Sequence, residues 1–118
     1  MHTLYEVAGQ TLNNRDLTFT NRTTSLAAGS VIIFRLRVTA LNPNSTMAVV
    51  MNITFPDGKV KRFELFVNQV GSYQRGGWRG TERGGQISAS GSITVEGRIT
   101  FDAAIVTFEQ GEDVSEWS

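Results

Sequence analysis

Apolar and polar residues alternate with a period of two along most of this chain, and helical periodicity is almost absent. The alternation is cleanest over Phe34-Arg35-Leu36-Arg37-Val38-Thr39-Ala40. That run predicts a half-buried strand with Arg35 and Arg37 on its outer face. The turn-forming stretch Leu41-Asn42-Pro43-Asn44-Ser45 ends it. Val49, Met51, Ile53 and Phe55 then share a face, as do Phe63, Leu65 and Val67 beyond Pro56-Asp57-Gly58. Proline presets φ and glycine accepts the left-handed position, so a hairpin of roughly 47–55 with 59–68 is expected.

The C-terminal third continues in strands. Ile87-Ser88-Ala89 leads through Gly91 to Ile93-Thr94-Val95-Glu96, with a tight turn expected near Gly97-Arg98. The run from Ile99 to Phe108 follows, and its parity slips at Ala103-Ala104, which predicts a β-bulge. Leu4-Tyr5-Glu6-Val7 and Leu17-Thr18-Phe19-Thr20 supply shorter strands, and no internal repeat is visible. Seven or eight strands with regular turns point to an all-β domain, a two-sheet antiparallel sandwich of jelly-roll or Ig-like type, with a β-barrel as the alternative. Around it the pattern leaves an N-terminal arm (about 1–15), a Gly- and Arg-rich loop (71–86) and an acidic tail (109–118).

Composition narrows the chemistry. With 118 residues, 40% of them hydrophobic, the chain suits one domain with a core of its own. It has no cysteine, which excludes disulfides and thiolate metal sites. Eleven basic residues balance eleven acidic ones, so no global field draws it to nucleic acid, and no apolar run is long enough to span a membrane as a helix. The N-terminus lacks a charged region followed by an apolar one, so no signal peptide is expected. For a non-viral protein the expected localisation is therefore the cytoplasm.

Catalysis finds few candidates. His2, next to the terminus, is the only histidine and there is no cysteine, so Ser-His and Cys-His nucleophile pairs are excluded unless His2 is itself recruited. The carboxylates are scattered singly, no calcium loop is spelled out, and the glycine pairs 76–77 and 84–85 do not form a phosphate loop. The expected protein is not an enzyme, with no catalytic residue, metal or cofactor.

Binding chemistry concentrates in residues 71–86, which hold six of the twelve glycines. Tyr73, Arg75, Trp78, Arg79, Glu82 and Arg83 lie there, and Trp117 lies in the tail. Large aromatic and Arg side chains concentrate binding energy at interfaces, and intervening glycines let backbones approach closely. These seven residues are the candidate interface. The stretch Trp78-Arg79-Gly80-Thr81-Glu82-Arg83 is similar to the Trp-Gly-x-Glu-x-Arg stretch of galectins in another register. The His-x-Asn-x-Arg strand of galectins is missing, so no galectin site is carried over. A small, Arg-using, Cys-free β domain with extended ends resembles the capsid decoration and tail proteins of bacteriophages. That resemblance implies a structural protein located in a virion, self-associating or bound to a capsid or tail lattice through protein–protein contacts. The alternative is a lectin-like, carbohydrate-binding module with Trp78 or Tyr73 as stacking platform. Single-stranded nucleic acid, gripped by Arg75, Arg79 and Arg83 with Lys59, Lys61 and Arg62, fits the zero net charge less well.

Overall fold

The computed structural model describes residues 1–79 and 84–114, with residues 77–79 as backbone only. They form an all-β, antiparallel arrangement of six strands: β1 (His2–Leu26), β2 (Val31–Leu41), β3 (Thr46–Thr54), β4 (Val60–Val67), β5 (Gly71–Arg79) and β6 (Gly85–Phe108). The sheet runs β4-β3-β6-β2-β5, with β1 on the remaining side of β6, and it curls into a half-barrel.

The expected hairpin is present. β3 and β4 pair without a register break from Met47↔Val67 to Thr54↔Val60. Val49, Met51, Ile53, Phe55, Phe63, Leu65 and Val67 are all buried. The Gly58 amide donates to the Phe55 carbonyl at 2.9 Å, the Phe55 amide to Lys59 at 2.8 Å, and the Lys59 amide to Asp57 Oδ1 at 3.0 Å.

The seven or eight short strands, however, are fewer and longer. Segments 87–89, 93–96 and 99–108 are one strand, β6, and segments 4–7 and 17–20 are one strand, β1. A straight strand of 25 residues would extend about 80 Å at the usual rise, whereas the whole molecule measures 45 × 27 × 17 Å. Both long strands must therefore bend. β6 pairs with β3 through Glu96 and with β2 from Ile99, so its bend falls at Gly97-Arg98, read from the sequence as a turn between strands. The chain from β2 to β3 turns at the same level, and so does the chain from β4 to β5. Four long ribbons (β1, β6, β2–β3 and β4–β5) are thus folded across one common line.

Hydrogen bonds tie that line together. The Gly97 amide donates to Asn14 Oδ1 at 2.8 Å, the Arg98 amide to Ser45 Oγ at 3.0 Å, and the Asn42 amide to the Arg98 carbonyl at 3.0 Å. Gly97 has φ 88°, and a Cβ there would run into the Ser45 side chain, so only glycine fits. Inner-face side chains from both limbs, such as Leu36, Val38, Ile99 and Phe101 with Met47, Val49, Ile93 and Val95, meet in one buried cluster.

β1 contains the repeat that the sequence reading missed. Thr11-Leu12-Asn13-Asn14-Arg15, Thr18-Phe19-Thr20-Asn21-Arg22 and Ser25-Leu26 recur every seven residues, and Leu12, Phe19 and Leu26 are buried. An odd step lands on the same face of a strand only where the register shifts once within it. Shifts do occur between Asn13 and Arg15 and between Phe19 and Arg22, and Asn14 and Asn21 have φ of 49° and 50°. Side chains complete the hydrogen bonding where the ladder breaks. The Asn21 amide donates to Ser90 Oγ at 3.0 Å, and at an earlier shift the Gly9 amide donates to Asp102 Oδ1 at 2.6 Å. Residues 1–15, expected as an arm, thus run from residue 2 onward along β6, His2 included.

Two further expectations are corrected. No bulge interrupts β6 at Ala103-Ala104, where the register is continuous with both neighbours. The parity slips because both faces are buried: Ala103 and Ile105 join the main core, while Ile33, Ala104, Val106 and Phe108 form a second cluster on the other face. Arg35 belongs to that second face and is buried rather than solvated, its guanidinium 5.3 Å from the Phe108 ring centroid. Burial pushes its pKa down.

Two substitutions separate the steric cost of the bend from its backbone cost. Gly9→Ala, with φ 60° and open space around its Cβ position, should cost about 1–2 kcal/mol in denaturant unfolding. Gly97→Ala should cost about 1–3 kcal/mol more, from its collision with Ser45. Equal costs would show that the bend is not tightly packed. Phe63→Ala should cost about 3–5 kcal/mol, as expected for a core aromatic, and a cost under about 1 kcal/mol would contradict the observed face of β4.

Candidate functional site

Residues 71–79 of the expected loop are strand β5, an edge strand paired with β2 from Val38↔Gly71 to Val31↔Arg79. Alternation fails there because the positions opposite the core residues Val38, Leu36 and Phe34 hold Gly71, Tyr73 and Arg75, of which only Tyr73 is a large apolar body. Gly76 has φ 118°, and a Cβ on it would meet the Ile32 backbone, so the strand approaches β2 as only glycine allows. The register shifts between Ile32 and Ile33, which leaves Gly77 as the extra residue.

The seven candidate residues do not share one environment. Tyr73 is half-buried and packs against the main core, and its hydroxyl donates to the Gln69 carbonyl at 2.9 Å. Arg75 is exposed, with Nη1 donating to the Gln74 carbonyl at 3.0 Å, and it borders a shallow depression with Ile33, Gln74 and Gly76. The backbone of Trp78 lies opposite Ile32, and that of Arg79 opposite Val31. Glu82, Arg83 and Trp117 lie outside the described residues.

Two surfaces escaped the sequence reading. The first is a groove of about 420 Å³ between the two limbs of β1, lined by Thr3 to Val7 on one side and Leu17, Thr18 and Arg22 on the other. The bends of β1 create it by bringing Tyr5 and Phe19 into a stack, with centroids 4.3 Å apart and planes at 21°. The Arg22 guanidinium lies 5.4 Å from the Tyr5 ring centroid. Burial raises the Tyr5 pKa above its ordinary 10.0, and the nearby Arg22 charge opposes that rise. The stacked rings and the guanidinium beside them give one wall of the groove aromatic and cationic contact chemistry. Among the described residues, no group of three His, Cys, Asp or Glu could hold a metal ion.

The second surface follows β4, the edge strand beyond β3. Val60 and Phe66 stand on its outer face, 58% and 64% exposed, and Val70 in the connection to β5 is 60% exposed. Arg62 and Glu64 lie between them on the same face, joined by a 2.9 Å contact from Nε to Oε1. The signal was present in the sequence: Phe66 sits between Leu65 and Val67, where alternation calls for a polar residue.

The chain matches no protein-family model, no curated protein and no solved structure.

The raised Tyr5 pKa has a testable consequence. A folded-state pKa above the unfolded one contributes stability that is complete below the unfolded value, near pH 10, and lost as pH rises through the folded value. Urea unfolding of the native protein should therefore show an alkaline decline that Tyr5→Phe lacks. Arg22→Ala should move the decline to higher pH. The same decline in Tyr5→Phe would place its origin elsewhere.

Proposed function

We propose that this chain is a structural protein that acts through protein–protein contacts, associating with itself or covering part of a larger lattice such as a viral capsid or tail. The observation that carries the reading is the exposure of Val60, Phe66 and Val70 along and just beyond one sheet edge. A long edge strand is a template for pairing with another chain, and large apolar side chains beside it favour being covered. Arg75, exposed on the opposite edge strand, adds a side chain suited to interfaces. The carbohydrate-binding alternative has less support, because Tyr73, one of its two aromatic platforms, packs against the core.

The mass of the native protein in solution tests the proposal. Light scattering should give two or more chains per particle at high concentration. Phe66→Ser should shift the population towards single chains while leaving the melting temperature nearly unchanged, since an exposed side chain adds little to stability. A wild-type monomer at high concentration, with no protein partner retained from its source, would contradict it.

A further inference from the structure

We infer that β4 is a dimerisation strand, and that its partner is β4 of a second copy, paired antiparallel about a two-fold axis centred on Phe63. The inference rests on the assembly reading above and names its partner and register.

Among the described residues three strands have an unpaired side, and they differ: β1, which pairs only with β6, is broken by four register shifts. β5 is kinked by its register shift and by Gly71 and Gly76 at positive φ, which blunts it for pairing. β4 pairs with β3 without a shift, contains no proline or glycine, and is eight residues long. Its hydrogen-bonding groups also have a defined direction. The Phe55 amide donates to the Lys59 carbonyl, and neighbouring residues in an antiparallel ladder alternate in facing their partner strand. Lys61, Phe63, Leu65 and Val67 therefore bond to β3. Val60, Arg62, Glu64 and Phe66 turn their amides and carbonyls to the free edge.

An isologous interface brings the same strand to itself, so a two-fold axis must pair each residue with a suitable partner of its own sequence. The outer face of β4 reads Val60, Arg62, Glu64, Phe66. Centred on Phe63, the axis sets Arg62 opposite Glu64 and Val60 opposite Phe66, each twice. These are also the residues whose backbone groups face outward, so each such pair can exchange both hydrogen bonds. An axis on Arg62 would oppose two guanidinium groups, and one on Glu64 would oppose two carboxylates. Of the axes along β4, only the one on Phe63 sets Arg62 opposite Glu64 and pairs the outer face from Val60 to Phe66 over its whole length. Lys61, the one charged residue on the inner-face parity, then falls opposite Leu65, and no like charges meet. Pairing in this way uses the edge once and closes it, which gives a dimer rather than an open fibre.

Charge reversal tests the register in the full-length protein. Sedimentation velocity over a concentration series should show a wild-type dimer. Arg62→Glu sets carboxylates against carboxylates, Glu64→Arg sets guanidinium groups against each other, and each should weaken the dimer by about ten- to a hundredfold. The double variant Arg62→Glu/Glu64→Arg restores opposite charges in the same register and should recover affinity to within a few-fold. Both residues are exposed, with side chains 58% and 65% accessible, and an unchanged circular dichroism spectrum will show that the variants fold. The chain has no cysteine, so a mixture of Val60→Cys and Phe66→Cys proteins should oxidise to the mixed dimer and neither alone to its own. A wild-type protein that associates but ignores the reversals, or a double variant as weak as the singles, overturns this pairing and leaves the assembly reading standing. A strictly monomeric wild type overturns the pairing and self-association together.

Discussion

The contact of Gly97 and Arg98 with Asn14 and Ser45 is the constraint on which the rest of this fold depends. Four antiparallel ribbons, each too long for the molecule, have to reverse direction somewhere, and they do so at a common level. Two of them are interrupted there by connections, while β1 and β6 bend through with their pairing maintained on either side. Register shifts make that possible by changing which side chains face inward, and polar side chains take the amides that the ladder leaves free. Folding across this line brings two limbs into one core. It also decides the edges: β4 and β5 end the sheet on one side, and the two limbs of β1 face each other on the other side and enclose the groove.

The same geometry explains what the sequence could reveal. The β3–β4 hairpin was legible because its alternation is unbroken and its turn residues have one purpose each. β6 was legible as apolar odd-numbered positions from Ile87 to Ile105, but Gly97-Arg98 read as a turn when both residues lie within a continuous strand. Gly91 has no room for a side chain between the Val50 carbonyl and the Phe19 ring, so its glycine reflects close packing rather than chain reversal. β1 was legible only in fragments because its inward parity changes at each register shift. Its burial follows a seven-residue step that a search for simple alternation passes over.

The candidate site was legible in a different proportion. Tyr73 and Arg75 were picked as large hydrogen-bonding residues among glycines, and both do lie on an edge strand, but Tyr73 serves the core. The groove at Tyr5, Phe19 and Arg22 could not be read from the chain, since only the bends of β1 bring its walls together. The outer face of β4 needed no structure to be noticed. Phe66 interrupts the alternation, yet only the sheet order shows that β4 is an edge, where such a residue is available to a second molecule.

Amide hydrogen exchange along β4 tests the account most directly, because it reads the fold and the free edge in the same eight residues. In dilute protein the amides of Lys61, Phe63, Leu65 and Val67 should exchange slowly, as partners of β3, and those of Arg62, Glu64 and Phe66 rapidly. Raising the concentration should slow the second set and leave the first unchanged. Alternating protection that does not respond to concentration would contradict pairing through this edge, and protection without alternation would contradict the position of β4 in the sheet.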